Sequence, residues 1–134
     1  MNTTDNNPSQ AASLTPRQIA FSFRGRISRA TFWIALLCLL LCYVAFVFAM
    51  NAVPSDSPYQ DRIEFALWIL YFPWAIWATL AVQVKRWHDL DVTGWAVLIN
   101  LVPIINILVL IYLAAKNGTP EANRYGPKPT FGTK

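Results

Sequence analysis

Ala30-Thr31-Phe32-Trp33-Ile34-Ala35-Leu36-Leu37-Cys38-Leu39-Leu40-Leu41-Cys42-Tyr43-Val44-Ala45-Phe46-Val47-Phe48-Ala49-Met50 is a run of 21 residues without a charge, and its reading decides the fold. A helix rising ~1.5 Å per residue over this length covers the ~30 Å hydrocarbon core of a bilayer. The run starts too far from Met1, and is too long, for the apolar region of a cleaved signal peptide, so the expectation is an uncleaved anchor. Cys38 and Cys42 lie one helical turn apart inside it and read as small apolar packing residues, not as a disulfide framework, a redox pair or metal ligands.

Two further apolar runs follow. Phe65 to Val84 has Gln83 as its strongly polar member, and Pro73 near its middle predicts a kink. Tyr71, Trp74 and Trp77 lie deep in this run; their polar hydrogens need partners, so the helix is expected to face protein. Trp95 to Ala115 is broken by Asn100, Pro103 and Asn106. With 55% hydrophobic and 13% charged residues in 134, the excess apolar surface calls for lipid as its solvent. The expected fold is all-α and polytopic, a single membrane domain over 15–129 with spans at about 30–50, 65–84 and 95–115. Residues 1–14, polar and without apolar periodicity, read as a disordered tail, and 130–134 as a carboxyl-terminal tail. Between tail and first span, Thr15-Pro16-Arg17-Gln18 combines an N-cap, proline at the first helical position and glutamine three residues past the cap. A short helix is expected there, laid on the membrane surface by Ile19, Phe21 and Phe23 and weakened at Gly25.

Charge placement speaks to topology. Arg17, Arg24, Arg26 and Arg29 precede the first span, the first connection holds only Arg62, and the second holds Lys85 and Arg86, which puts the amino terminus in the cytoplasm. If the third run crosses once, Lys116, Arg124, Lys128 and Lys134 are exported against the rule. If it turns back near Pro103 to Asn106, ten of the eleven basic residues share the cytoplasmic side. A proline-kinked single span and a re-entrant hairpin both remain open at this level.

Three clusters flank the runs. In Arg24-Gly25-Arg26-Ile27-Ser28-Arg29, Ser28 is placed to cap the first span and the guanidinium groups suit anionic lipid headgroups, beyond their plainer role as a positive-inside anchor. In Lys85-Arg86-Trp87-His88-Asp89-Leu90-Asp91, the two cations stand four and three residues before Asp89, within ion-pair reach on a helix end. His88, the single histidine, lies beside carboxylates as a general base or pH sensor would, yet no nucleophile is placed near it and one histidine with acids is thin for a metal site. In the third, Asn117-Gly118 reads as a helix cap, followed by turn formers and by Asn123, Arg124 and Tyr125. Under the hairpin topology Asn123 or Arg124 can meet Asp89; under the single span neither can.

At these clusters the chain resembles the YhaH and YhaI type of small bacterial inner-membrane proteins, a family of unknown function (domain of unknown function 805), over about 21–129. The resemblance is carried by Gly25-Arg26-Ile27-Ser28-Arg29 with Phe32-Trp33, Lys85-Arg86-Trp87-His88-Asp89 with Gly94-Trp95, Pro103, Gly118-Thr119, and Asn123-Arg124-Tyr125-Gly126-Pro127. It implies a location and an architecture, not a reaction. Residues 92 and 93, Val and Thr, depart from the family's polar or basic residue and serine, and Lys116-Asn117 stand where proline is frequent.

The functional expectation is a non-enzymatic component of the bacterial cytoplasmic membrane, multi-pass, assembling with itself or a membrane partner. Its polar site comprises Arg26, Arg29, Arg86, His88, Asp89, Asn123, Arg124 and Tyr125, facing anionic headgroups, with no cofactor, metal or nucleic acid. The alternatives are a small transporter or channel subunit using the breaks at Pro73, Asn100, Pro103 and Asn106, and a membrane enzyme using His88 and Asp89.

Overall fold

A computed structural model describes residues 14–129; of the expected tails at 1–14 and 130–134, all but Leu14 lies outside the described residues, and Leu14 packs against the core. Four α-helices and one 3₁₀ helix follow in order: α1 Pro16–Phe21, α2 Arg29–Asn51, α3 Gln60–Asp89, the 3₁₀ helix Gly94–Leu101, and α4 Pro103–Ala115. No strand occurs among the described residues. Two of the helices, α2 and α3, are long and apolar enough to cross a membrane.

Local chemistry sets the starts and stops. Thr15 Oγ1 accepts from the Gln18 N–H at 3.3 Å and Gln18 Oε1 accepts from the Thr15 N–H at 2.9 Å, a capping box that starts α1 with Pro16 at its first position. Ser28 caps α2 by accepting from the Thr31 N–H at 3.2 Å. The end of α3 is a Schellman turn: Asp91 N–H donates to the His88 carbonyl at 3.1 Å and Val92 N–H to the Trp87 carbonyl at 3.0 Å, with Asp91 at φ 59°. Aspartate is among the few residues that enter this left-handed region readily.

Three expectations change. Helix α3 absorbs both flanks assigned to connections, running from Gln60 continuously through Pro73 to Asp89. Lys85 to Asp89 are buried on its last turns, where the charged groups of Lys85, Arg86 and Asp89 find partners. Next, α1 packs on α3 instead of lying out on a membrane surface. Ile19 joins the core, its carbonyl accepts from Lys85 Nζ at 2.7 Å, and the Phe21 carbonyl accepts from Trp77 Nε1 at 3.4 Å. Finally, Cys38 and Cys42 are exposed and line an apolar groove with Ile19 and Trp74; α2 meets its neighbours through other positions, above all Phe32 and Phe46.

The core sits at one end of the helices, where Ile27, Phe32, Val82, Trp87, Leu113 and Ala114 are buried against one another. Farther along, α2 and α3 touch through Phe46, stacked on Tyr71 at 4.2 Å and 12° and edge-on to Trp68 at 5.0 Å. Tyr71 and Trp74 thus face protein, while Trp77 is half exposed. Most other large apolar side chains of both helices point outward, Phe48 at 72% and Leu70 at 76% exposure among them.

The run from 95 to 115 is not one helix. Val102, extended at φ −93° and ψ 111°, separates the 3₁₀ helix from α4, as expected of a residue before proline, and Pro103 opens α4. The break falls at 102–103, and Asn106 lies within α4, its N–H donating to the Val102 carbonyl. Gly94 lies against Val84 and His88, Asn100 is hydrogen-bonded to Gln83, and Leu113 returns to Arg86, so both ends of the run meet the last turns of α3. The 3₁₀ segment is about 16 Å long and α4 about 20 Å, each short of a ~30 Å hydrocarbon core.

Phe32 is fully buried and its neighbour Trp33 is 58% exposed. Phe32→Ala is expected to lower stability by roughly 3–5 kcal/mol through the cavity it opens, whereas Trp33→Ala changes it much less. Thermal melting of both variants in the same detergent, followed by circular dichroism, checks the contrast.

Candidate functional site

The polar residues gather where α3 ends. Asp89 Oδ1 accepts from Arg26 Nε at 3.1 Å and Nη2 at 2.9 Å, and Oδ2 accepts from Arg86 Nη1. All three side chains are at most 4% exposed. Arg26 directs its remaining donors to the carbonyls of Thr119 at 2.9 Å, Glu121 at 2.8 Å and Gly126 at 3.2 Å, so each of its five N–H groups has an acceptor. Arg86 Nε donates to the Leu113 carbonyl at 2.8 Å and Nη2 to that of Lys116, while Arg29 Nη1 reaches the Ala115 carbonyl at 3.3 Å. These are the carbonyls that the end of α4 leaves without intrahelical partners, at the negative end of its dipole. The two buried arginines therefore tie three separate pieces of chain to one carboxylate.

The segment after α4 docks onto the same end of α3. The Asp89 carbonyl accepts from the Thr119 N–H at 2.9 Å and Oγ1 at 3.3 Å. Asn123 Nδ2 donates to the His88 carbonyl at 2.8 Å and to Thr119 Oγ1 at 3.1 Å, and its Oδ1 receives the Tyr125 N–H at 3.0 Å. The Tyr125 ring stacks on His88 at 3.8 Å and 6°. His88 Nδ1 is 3.3 Å from the Gly25 carbonyl, which as an acceptor fixes the ring proton on Nδ1. Gly118 is required by crowding and not as a helix cap: a Cβ there would overlap the Asp89 carboxylate, and α4 in fact ends on extended Lys116.

Of the residues singled out from sequence, Arg26, Arg86, His88, Asp89, Asn123 and Tyr125 come together. Arg29 stands at the rim. Arg124 does not reach Asp89; it pairs with Asp91 at 3.3 Å on the exposed side and lies 4.9 Å over the Tyr125 ring. Lys85 forms no ion pair with Asp89 but is wholly buried, its Nζ held by the carbonyls of Ile19 and Ala81 at 2.7 and 3.5 Å. Thr119, Gly118 and Lys85 belong to the site although the sequence did not select them. The available signal was Gly118-Thr119 shortly after the last apolar run and a lysine directly abutting the second. Among the described residues no three His, Cys, Asp or Glu side chains stand close enough to hold a metal ion.

Away from this end, Asn100 Nδ2 donates to Gln83 Oε1, while Asn100 Oδ1 and Trp87 Nε1 are buried without partners.

Geometry and sequence together define an all-helical protein with two membrane-capable helices, clasped at one end by a buried arginine–carboxylate node. Residues 20–127 match the family described as Protein of unknown function (DUF805), and the chain belongs to that family. It is 32% identical over 113 residues to inner membrane protein YhaH of Escherichia coli (strain K12), covering 80% of this chain and 86% of the relative. It is 31% identical over 111 residues to inner membrane protein YhaI of the same organism, covering 83% and 88%. Uncharacterized protein YiiR, also from that strain, is 29% identical over 138 residues, covering 84% and 89%. No solved structure matches the chain.

Removing one member of a buried ion cluster strands the others without compensation, which typically costs 3–5 kcal/mol, roughly the loss expected for Asp89→Asn. Arg26→Lys should fail to restore stability, since an ammonium cannot reach four diverging acceptors. Gly118→Ala is expected to destabilise comparably by displacing the Asp89 carboxylate. Melting temperatures of the three variants in one detergent check all of this; a near-wild-type Asp89→Asn protein would contradict the central role of the carboxylate.

Proposed function

We propose that this protein is a multi-pass component of the bacterial inner membrane that acts by assembly, with itself or a membrane partner, and not by catalysis. Its amino terminus and the segment after α4 lie on the cytoplasmic side, and the 3₁₀ helix with α4 forms a re-entrant hairpin. Several observations support the location. The relatives YhaH and YhaI are named inner membrane proteins, and the apolar stretch of α2 is only 11% buried, unlike the core helix of a water-soluble domain. A hairpin that returns near Arg86 keeps Arg124 and Lys128 on the side of Arg24, Arg26 and Arg29, as the positive-inside rule favours.

The observation that carries the non-catalytic reading is the internal use of the Asp89 carboxylate. Both Asp89 oxygens are held by guanidinium groups, and the His88 ring is covered by Tyr125 and bonded to Gly25. A general base needs a free lone pair aimed at a substrate proton; a clasp needs satisfied ones. The channel alternative has less to draw on, because Asn100 is turned toward Gln83 and no charged side chain lies in the deeper part of the apolar runs.

Fusions to residue 134 test the topology: a fluorescent protein should glow and alkaline phosphatase should stay inactive. Active phosphatase with a dark fluorescent fusion would sink the hairpin reading. Native mass spectrometry from mild detergent should show dimers or a retained partner; a solitary protomer at every concentration tried would refute assembly.

A further inference from the structure

We infer that the cavity at the rim of the arginine–carboxylate node is a binding site for the phosphate of an anionic phospholipid headgroup. The inference deepens the membrane reading above, which it presupposes. The cavity has a volume of about 370 Å³ and is lined by Ser28, Arg29, Asp89, Asn117, Thr119 and Lys128, among others.

Charge points to an anion. Arg26, Lys85 and Arg86 are buried, with exposures of 4%, 0% and 0%, and Asp89 is the one buried carboxylate among the described residues. Asp91 is at the surface with Arg124. The carboxyl-terminal ends of α3 and α4 each contribute roughly half a negative charge. About one positive charge is then left without an opposite, before Arg29 and Lys128 at the cavity wall are counted. Buried or half-buried cations with no counterpart are unfavourable, and the cations that meet an anion in the cavity itself are Arg29 and Lys128, beside the Asp89 carboxylate.

Placement points the same way. Helix α2 starts at the cavity with Arg29 and has no acidic residue in its first turn, so its positive end is electrostatically unsupported by its own sequence. Arginine and lysine on either side of a hydroxyl- and amide-lined space suit a phosphate, which accepts from guanidinium in a fork and from ammonium as a point charge.

A stripe on α2 distinguishes a lipid from a soluble phosphate. Arg29, Trp33 and Leu37 follow one another at four-residue spacing along one face of α2, and all three are exposed, as is Leu40 beyond them. A headgroup held by Arg29 would lay its acyl chains along this stripe, which among the described residues nothing covers.

The test uses the full chain in a non-ionic detergent, its thermal melting followed while short-chain phosphatidylglycerol, phosphatidylcholine or inorganic phosphate is added. Phosphatidylglycerol is expected to raise the melting temperature at a concentration at least about tenfold below that needed of phosphatidylcholine. In R29Q/K128Q that difference should shrink by about tenfold or more, with the lipid-free melting temperature near wild type. If the double variant melts early, Lys128→Gln alone, at the exposed rim, carries the comparison with a smaller expected loss. Equal responses to the two lipids, or an unchanged response in the variants, would overturn the site. Protection by inorganic phosphate equal to that by phosphatidylglycerol would overturn the lipid as its ligand. Because the titration is independent of orientation, an exported tail in the fusion assay would defeat the topology without touching this result.

Discussion

One carboxylate shared by two guanidinium groups governs this structure. Taking Asp89, Arg26 and Arg86 out of water is unfavourable unless almost every donor and acceptor is met, and the surroundings follow from meeting that condition. Arg26 brings the approach to α2, Arg86 the end of α4, and the loop carbonyls of Thr119, Glu121 and Gly126 complete what the carboxylate cannot. Even the absence of a side chain at Gly118 answers to the space that the carboxylate occupies. Specific polar bonding is concentrated at this end, and the remainder of α2 and α3 meets through aromatic contacts such as Phe46 on Tyr71. Directional bonds thus set which segments meet, and less directional packing keeps the long helices side by side.

Much of this was legible from residues alone, where the governing physics is local. The uncharged stretch from Ala30 to Met50 announces a long helix, Ser28 announces where it begins and Thr15 where the short helix before it begins, and Pro103 announces a break, each through a short-range constraint on backbone or solvent. The pair Arg86–Asp89 was accessible from its three-residue spacing. What stayed hidden depends on distant chain. Lys85 looked like the border of a connection because a lone lysine beside an apolar run usually marks the water boundary; its burial depends on the Ile19 carbonyl, 66 residues earlier. Gly118 looked like a helix cap because that is what Asn-Gly after a helix commonly is, and only the folded position of Asp89 reveals the crowding. Arg124 was expected within reach of Asp89, but the turn closed by Asn123 and Gly126 aims it outward at Asp91, and Arg26 takes that place instead.

The apolar runs carry a second, sparser kind of polarity. The Gln83–Asn100 bond lies beside a groove of about 540 Å³ walled also by Tyr43, Thr79 and Asn106. Together with the unpartnered Asn100 oxygen, it marks where the interior of the helical layer departs from pure hydrocarbon chemistry. Such amides hold segments together when water is scarce, and here they join the 3₁₀ helix to α3 at a level that the arginines do not reach.

The bonds of Arg26 connect residues 63, 93, 95 and 100 positions apart in sequence. During synthesis the guanidinium therefore emerges long before its loop acceptors exist. The clasp closes last, after the apolar run from 95 to 115 has left the ribosome. A chain cut short before Thr119 would leave three of the five Arg26 N–H groups without the carbonyls that meet them in the finished molecule.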